Sequence, residues 1–356
     1  MALERYSRER FCPFMRSHLR TFIVLGLAVA LLVLFLYNVD LRGVGREILH
    51  ARYEWLLVSL LTMFVNLAIR AWRWQYLLEP LGMPSFANAF RATAVGFAAS
   101  SILPARAGEV IRPYFLARHE RMSATGAFAT VILERVLDML TVLALLAIYV
   151  FFFQQELTTT NAVAFEAVKW AGGTAALAAF VALAVLFVVA GNPARLGATL
   201  SRLEQVLPST LAGMLARIAE KFATGLGVVR KPSRLFVALV LSVPLWLSIA
   251  LGTWTAALAF RLAIPFTGSF LVTALLVVGV AVPTPGAVGG FHAAFKFAVT
   301  TFFGASDDAA VGAAIVLHAL TVGPTLLLGL LFAAQAGLNI TVMRQLADQP
   351  ETGRTA

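Results

Sequence analysis

The feature that most constrains this chain is a succession of long, continuous apolar segments. They lie near 55–69, 86–103, 124–153, 170–190, 235–260, 265–282, 288–303 and 309–333, behind a first uncharged run from Thr21 to Tyr37. A helix that crosses a bilayer needs roughly 20 such residues at about 1.5 Å each. Transmembrane strands would instead alternate apolar and polar residues over roughly ten positions. The runs do not alternate, so an all-α polytopic integral membrane protein is expected. Composition agrees: 60% of the residues are hydrophobic and 13% charged, against about 45–50% and about 25% in soluble domains. So little charge cannot cover a soluble surface. That excludes a cytosolic enzyme, a DNA-binding module and a disordered regulator. The net charge of +10 fits the positive-inside bias and contact with anionic lipid rather than nucleic acid. The one cysteine, Cys12, offers neither a disulfide framework nor a thiolate metal site.

Arginine and lysine set the expected topology. Arg5, Arg8, Arg10, Arg16 and Arg20 precede the first run, whose exit Leu36-Tyr37-Asn38-Val39-Asp40 lacks the small residues of a cleavage site. The run is therefore read as a retained span with a cytoplasmic N-terminus. Segment 70–121 holds Arg70, Arg73, Arg91, Arg106, Arg112, Arg118 and Arg121, and segment 191–234 holds Arg195, Arg202, Arg217, Lys221, Arg230, Lys231 and Arg234. By contrast, 154–169 offers only Lys169, while 304–308 carries Asp307 and Asp308 and no basic residue. The bias places 70–121, 191–234 and the C-terminal tail in the cytoplasm. The expected organisation is a basic tail (1–20), a membrane half (21–190), a cytoplasmic amphipathic linker (191–234), a second membrane half (235–335) and a cytoplasmic tail (336–356). In the linker, Leu196, Leu200, Leu203, Val206 and Leu207 recur at helical spacing. They suit a helix on the anionic inner leaflet or a solvated linker helix equally well.

If 70–85 and 117–123 share one side, the stretch between them enters the membrane and returns. The stretch 262–304 does the same from the opposite side. Each has a Pro/Gly break at its middle, Pro104-Ala105-Arg106-Ala107-Gly108 in one and Pro283-Thr284-Pro285-Gly286 in the other. The expectation is about six full spans plus two oppositely oriented re-entrant helical hairpins, as in inverted-repeat transporters. Non-helical backbone at membrane depth is tolerated only around a cavity. The plainer alternative makes 86–103 and 265–282 ordinary short spans.

Ionisable groups in apolar surroundings cost roughly 2.5–3.5 kcal/mol each at a helix centre, which makes them functional candidates. Arg106, Glu109 and Arg112 form the first cluster; Glu109 and Arg112 share a helix face if a helix resumes after Gly108. A guanidinium binds phosphate through two parallel hydrogen bonds; a helix-start salt bridge is the plainer alternative. Pro113 would kink this helix or mark its real start. Glu134, Arg135 and Asp138 form the second cluster, in which Arg135 and Asp138 pair at i, i+3. Two carboxylates against one arginine call for a further partner: Arg106, Arg112, a proton or a cationic substrate group. A structural network tying hairpin to span is the competing role.

The third element is Pro283-Thr284-Pro285-Gly286-Ala287-Val288-Gly289-Gly290-Phe291-His292, which cannot be a continuous helix. The amides of Gly286, Gly289 and Gly290 before a new helix would cradle an anion. His292, with Lys296 one turn later, is expected at the rim of the same cavity. Arg70-Ala71-Trp72-Arg73-Trp74 reads as a set of interface anchors, or as the frame of a lipid entry route. The five histidines lack metal-ligand spacing, and no nucleotide or hydrolase signature occurs. No metal, cofactor or catalytic residue is expected.

The runs Leu103-Pro104-Ala105-Arg106-Ala107-Gly108-Glu109-Val110-Ile111-Arg112, Leu133-Glu134-Arg135-Val136-Leu137-Asp138 and Pro283 to Gly290 resemble the lysylphosphatidylglycerol synthase transmembrane-region family. This is a flippase-like membrane domain, found in lipid-aminoacylating synthases and in stand-alone proteins. The resemblance covers about residues 20–335. It implies lipid translocation or handling in a prokaryotic cytoplasmic membrane. His292 stands where the family often has a glutamate. No long soluble segment follows residue 335, so synthase activity is not expected to come with the resemblance.

The leading expectation is a flippase or transporter for an anionic or phosphate-bearing lipid. Its partners would be membrane phospholipids or isoprenoid lipids. The competing expectations are an enzyme acting on a lipid head group or lipid-linked sugar, and a non-transporting scaffold for a lipid-biosynthetic enzyme.

Overall fold

A computed structural model describes residues 33, 40–103, 106–156, 161–191 and 209–337. The expected first span Thr21–Tyr37, Cys12, both tails beyond these limits, Pro104, Ala105 and the linker residues Leu196 to Leu207 lie outside them. The described chain runs through α1 (Leu41–Leu49), α2 (Tyr53–Leu77), α3 (Phe86–Ile102), α4 (Gly108–Glu120), α5 (Ala124–Ile148), α6 (Ala162–Gly191), α7 (Ser209–Gly225), α8 (Pro232–Ala259), α9 (Gly268–Ala281), α10 (Gly290–Phe303) and α11 (Asp307–Gln335). No strand occurs among the described residues, as the continuous apolar runs require. Helix starts follow the side-chain rule for N-caps. Ser85 and Ser123 accept from the amides of Asn88 and Gly126 to open α3 and α5, and Asp40 accepts from Arg42 to open α1.

Among the described residues, five helices are long and apolar enough to cross a membrane: Tyr53–Leu77, Ala124–Phe153, Ala162–Gly191, Pro232–Ala259 and Asp307–Gln335. The chain is thus an integral membrane protein with membrane-spanning helices. Four shorter helices differ in kind. α9 and α10 have 14 residues each, α4 has 13 and α3 has 17. At about 1.5 Å per residue a 14-residue helix reaches about 21 Å, short of a hydrocarbon core of about 30 Å.

These short helices pack as two antiparallel pairs, α3 with α4 and α9 with α10. In each pair glycine faces glycine across the contact. A Cβ on Gly108 would strike the Gly96 carbonyl, and one on Gly290 would strike the Gly279 carbonyl. The first pair is closed at its base by Glu120, whose carboxylate accepts from the Ser85 amide (2.9 Å), the Ser85 hydroxyl (3.2 Å) and the Asn88 side chain (2.7 Å). Partial burial alone would raise the Glu120 carboxyl, but the bonds from Asn88 and Ser85 outweigh it and hold it below the usual carboxylate range. The second pair is closed at its base by the Phe303 ring against Gly268.

The two bases lie at opposite ends of the bundle. At one end, Glu79 pairs with Arg234, Pro80 covers Gly227, and Gly225 meets Gly126. At the other, the Arg52 amide donates to the Ala259 carbonyl (3.0 Å), and Gly43 packs on Asp308. The tips of the two pairs meet between these ends, where the turn Pro285–Ala287 rests on the end of α3 and Gly286 faces the Ser101 carbonyl. Within the 191–234 linker, α7 packs on α5 with Ala212 and Ala223 buried.

Candidate functional site

A buried ionic network joins α2, α4, α5 and α8. Arg73 on α2 is at its centre, fully buried, and donates to Glu134 Oε1 (3.0 Å) and the Ser242 hydroxyl (2.6 Å). Its Nη1 also lies 2.7 Å from Asp138 Oδ1. Arg112 on α4 reaches the second oxygen of Glu134 at 2.8 Å, and Arg70 reaches the second oxygen of Asp138 at 3.2 Å. The Trp246 indole of α8 donates to Asp138 at 3.1 Å. The Arg112 guanidinium lies 3.8 Å from the ring centroid of Trp74, whose own N–H donates to Thr130 (3.0 Å). Helical spacing makes this assembly. Arg70, Arg73 and Trp74 are three and four apart on one face of α2, as Glu134 and Asp138 are on α5.

The charges do not cancel. Arg70, Arg73 and Arg112 face Glu134 and Asp138, leaving one positive charge in the buried set. The Nε atoms of Arg70, Arg73 and Arg112, and Nη2 of Arg112, are buried without a hydrogen-bond partner among the described residues. Buried donors of this kind are costly unless something accepts from them. An oxyanion would supply both a negative charge and acceptor oxygens for such donors. The carboxylates, by contrast, are each held by two or more charged or indole donors.

Three expectations about the arginines need correction. Arg135 makes the expected i, i+3 pair with Asp138 at 3.6 Å, its side chain 37% exposed, but it is not the principal cation for the carboxylates, a role that Arg73 takes. Arg106 does not join the network. It sits at the tip of α3–α4, 42% exposed, at a left-handed φ of 55°, and faces Glu109 at 3.7 Å. Arg70, Arg73 and Trp74 are not interface anchors but buried members of the site, while Trp72, off that face, is exposed. Their three-residue spacing was the available signal, since it matches that of Glu109 and Arg112. Pro113 lies inside α4 rather than opening it.

The Pro/Gly element forms the tip of α9–α10. Pro283 and Pro285 break the helix, and Gly286, Ala287 and Gly289 turn the chain at φ of 60°, 57° and 86°. Thr284 closes the turn by donating to the Val288 carbonyl (2.8 Å). Of the three glycine amides expected to cradle an anion, that of Gly289 is directed at a neighbouring side chain, Nδ1 of His292 at 3.4 Å. Gly290 is the close-approach residue against α9. His292 is buried, its ring 4.5 Å from that of His318 on α11. Lys296 turns instead to Asp307, 3.5 Å away at the start of α11, so it does not share a rim with His292.

Comparison with known proteins agrees with this architecture. A stretch of 119 residues is 25% identical to the UPF0104 membrane protein MJ1595 of Methanocaldococcus jannaschii, covering 33% of this chain and 35% of that protein. The match therefore spans about a third of that relative's length. Residues 22–329 match the family described as Lysylphosphatidylglycerol synthase TM region. With that match running through both short helical pairs, the buried ionic network and the five long apolar helices, the chain belongs to the lysylphosphatidylglycerol synthase TM-region family.

Proposed function

We propose that this protein moves an anionic, phosphate-bearing lipid between the leaflets of a prokaryotic cytoplasmic membrane. In this reading α3–α4 and α9–α10 are re-entrant hairpins entering from opposite faces, with their tips meeting near the midplane. The observation that carries it is the surplus of buried guanidinium at Arg112 and Arg70 beside a helical pair too short to cross. A phosphodiester brings the negative charge and the acceptor oxygens that these groups lack. Arg112 is the residue assigned to grip it, since it belongs to the α3–α4 pair and has two donors unpartnered. The enzyme reading is less well served, because Glu134 and Asp138 are already engaged by arginines and offer no free base.

The test is leaflet exchange in liposomes holding the purified protein, with fluorescent phosphatidylglycerol and phosphatidylcholine as probes. Exchange of the anionic probe should exceed that of the zwitterionic one and of protein-free vesicles. Arg112→Lys keeps the charge but loses the planar fork, so the rate per inserted molecule should fall at least several-fold. Head-group turnover in place of exchange would favour the enzyme reading, and neither would favour a scaffold.

A further inference from the structure

A groove of about 380 Å³ lies between the second half of α6 and the start of α8. Phe180, Ala184, Phe187 and Val188 recur at three- and four-residue spacing, so one face of α6 forms one wall. Val229 and Leu235 line the other. Ala184 makes the gap, because it stands one turn from Phe180 and one turn from Phe187 and Val188, whose larger side chains flank it. From Phe180 to Val188 the helix rises about 12 Å. The groove therefore runs lengthwise, in the direction an acyl chain takes in a bilayer. The wall at Val229 is backed by a buried cluster that includes Leu186, Leu133 and Ala238, and no member of the ionic network lines the groove.

One end of this groove is charged. Val229 leads directly into Arg230 and Lys231, both exposed and neither in an ion pair among the described residues. Arg234, one turn further on, is by contrast held by Glu79. α8 opens at Pro232 with no side-chain cap, so the positive end of its backbone dipole adds to the same field. A soluble anion would account for the charges but not for the apolar groove beneath them. A neutral lipid would account for the groove but not for the charges.

We infer that this groove is a binding site for one anionic phospholipid of the leaflet at the arginine-rich end, separate from the ionic network. An acyl chain lies along Ala184, and the phosphate sits at Arg230 and Lys231. Arg230 offers a planar fork and Lys231 a point charge to the phosphate oxygens. A zwitterionic lipid brings the same tail and phosphate, but its own cation is repelled by the basic pair, so net charge selects the lipid. The bound molecule bridges α6 to α8. The site stands whether or not the protein moves lipid between leaflets.

The test is native mass spectrometry of the full-length protein in detergent, with phosphatidylglycerol and phosphatidylcholine of identical acyl chains added in equal amounts. Phosphatidylglycerol should be retained in preference. Arg230→Gln combined with Lys231→Gln should weaken its retention roughly fivefold per charge removed and leave phosphatidylcholine unchanged. Ala184→Trp fills the groove from an exposed position and should weaken phosphatidylglycerol retention as well. A photoreactive residue at position 184 should cross-link to lipid. Equal retention of the two lipids by the parent protein overturns the inference, as does a preference that survives either variant. A cross-link from 184 to the chain's own residues 192–208 instead of lipid overturns it too. A preference lost in Arg112→Lys but kept in the groove variants moves the lipid to the ionic network and removes this site. The reverse pattern, in a protein that exchanges no lipid, keeps this site and defeats the proposed function.

Discussion

Arg73 carries the heaviest electrostatic duty of any single residue. It contacts Glu134, Asp138 and Ser242 while fully buried, so its removal leaves each carboxylate with one fewer cation in a dry site. Breaking a buried pair from one side costs about 3–5 kcal/mol. Arg73→Ala should therefore lower the yield and melting temperature of detergent-purified protein sharply. Arg135→Ala, which removes a half-exposed guanidinium 3.6 Å from Asp138, should change them little. Equal losses in the two variants would mean that Arg135 carries more of the network than its position indicates. The difference was not readable along the chain, because Glu134-Arg135-Val136-Leu137-Asp138 offers a local partner while the actual ones lie on α2. The clue was confined to the spacing of Arg70, Arg73 and Trp74, which puts them on one face.

At the scale of elements, the short helical pairs depend on backbone-to-backbone approach. Gly96 with Gly108 and Gly279 with Gly290 allow two helices to touch where a methyl group has no room. Gly108→Ala and Gly290→Ala should separate the arms and lower the melting temperature of the purified protein. Gly173→Ala is the control: it lies within α6 with open space around its Cβ position. There the substitution should be neutral or stabilising by about 0.4–1 kcal/mol, through helix propensity and unfolded-state entropy. If all three behave alike, packing at the glycine pairs is not what holds the arms together. The breaks at Pro104 to Gly108 and Pro283 to Gly286 were legible because proline and glycine act locally on the backbone. That Gly290 meets the facing helix was not, since close approach depends on where α9 lies.

For the whole molecule, the contacts sort the loops into two sets. Glu79, Pro80, Glu120, Gly225 and Arg234 gather at one end; Gly43, Arg52, Ala259, Phe303 and Asp308 gather at the other. The first end is the arginine-rich one, which the positive-inside rule assigns to the cytoplasm. Single cysteines at Arg118 and Arg230, in a Cys12→Ser background, should resist an impermeant thiol reagent added to intact cells. One at Asp307 should react. Reaction at 118 without reaction at 307 would invert the orientation, and reaction at both 118 and 307 would defeat the opposed-hairpin arrangement.

The sequence by itself determined the solvent, the helical class, the two broken segments and the segregation of basic loops. Each of these follows from local composition: hydropathy over one helix length, backbone freedom at Pro and Gly, and charge at span ends. It also carried the three motifs that mark the family. Only the tertiary structure decided which arginine meets which carboxylate, that Arg106 stays at the tip while Arg112 is buried, and that His292 is joined by His318, 26 residues on. The reason is physical. A charge in apolar surroundings must find a partner, but helices presenting similar faces can supply several candidates. Close packing of α2, α4, α5 and α8 selects among them.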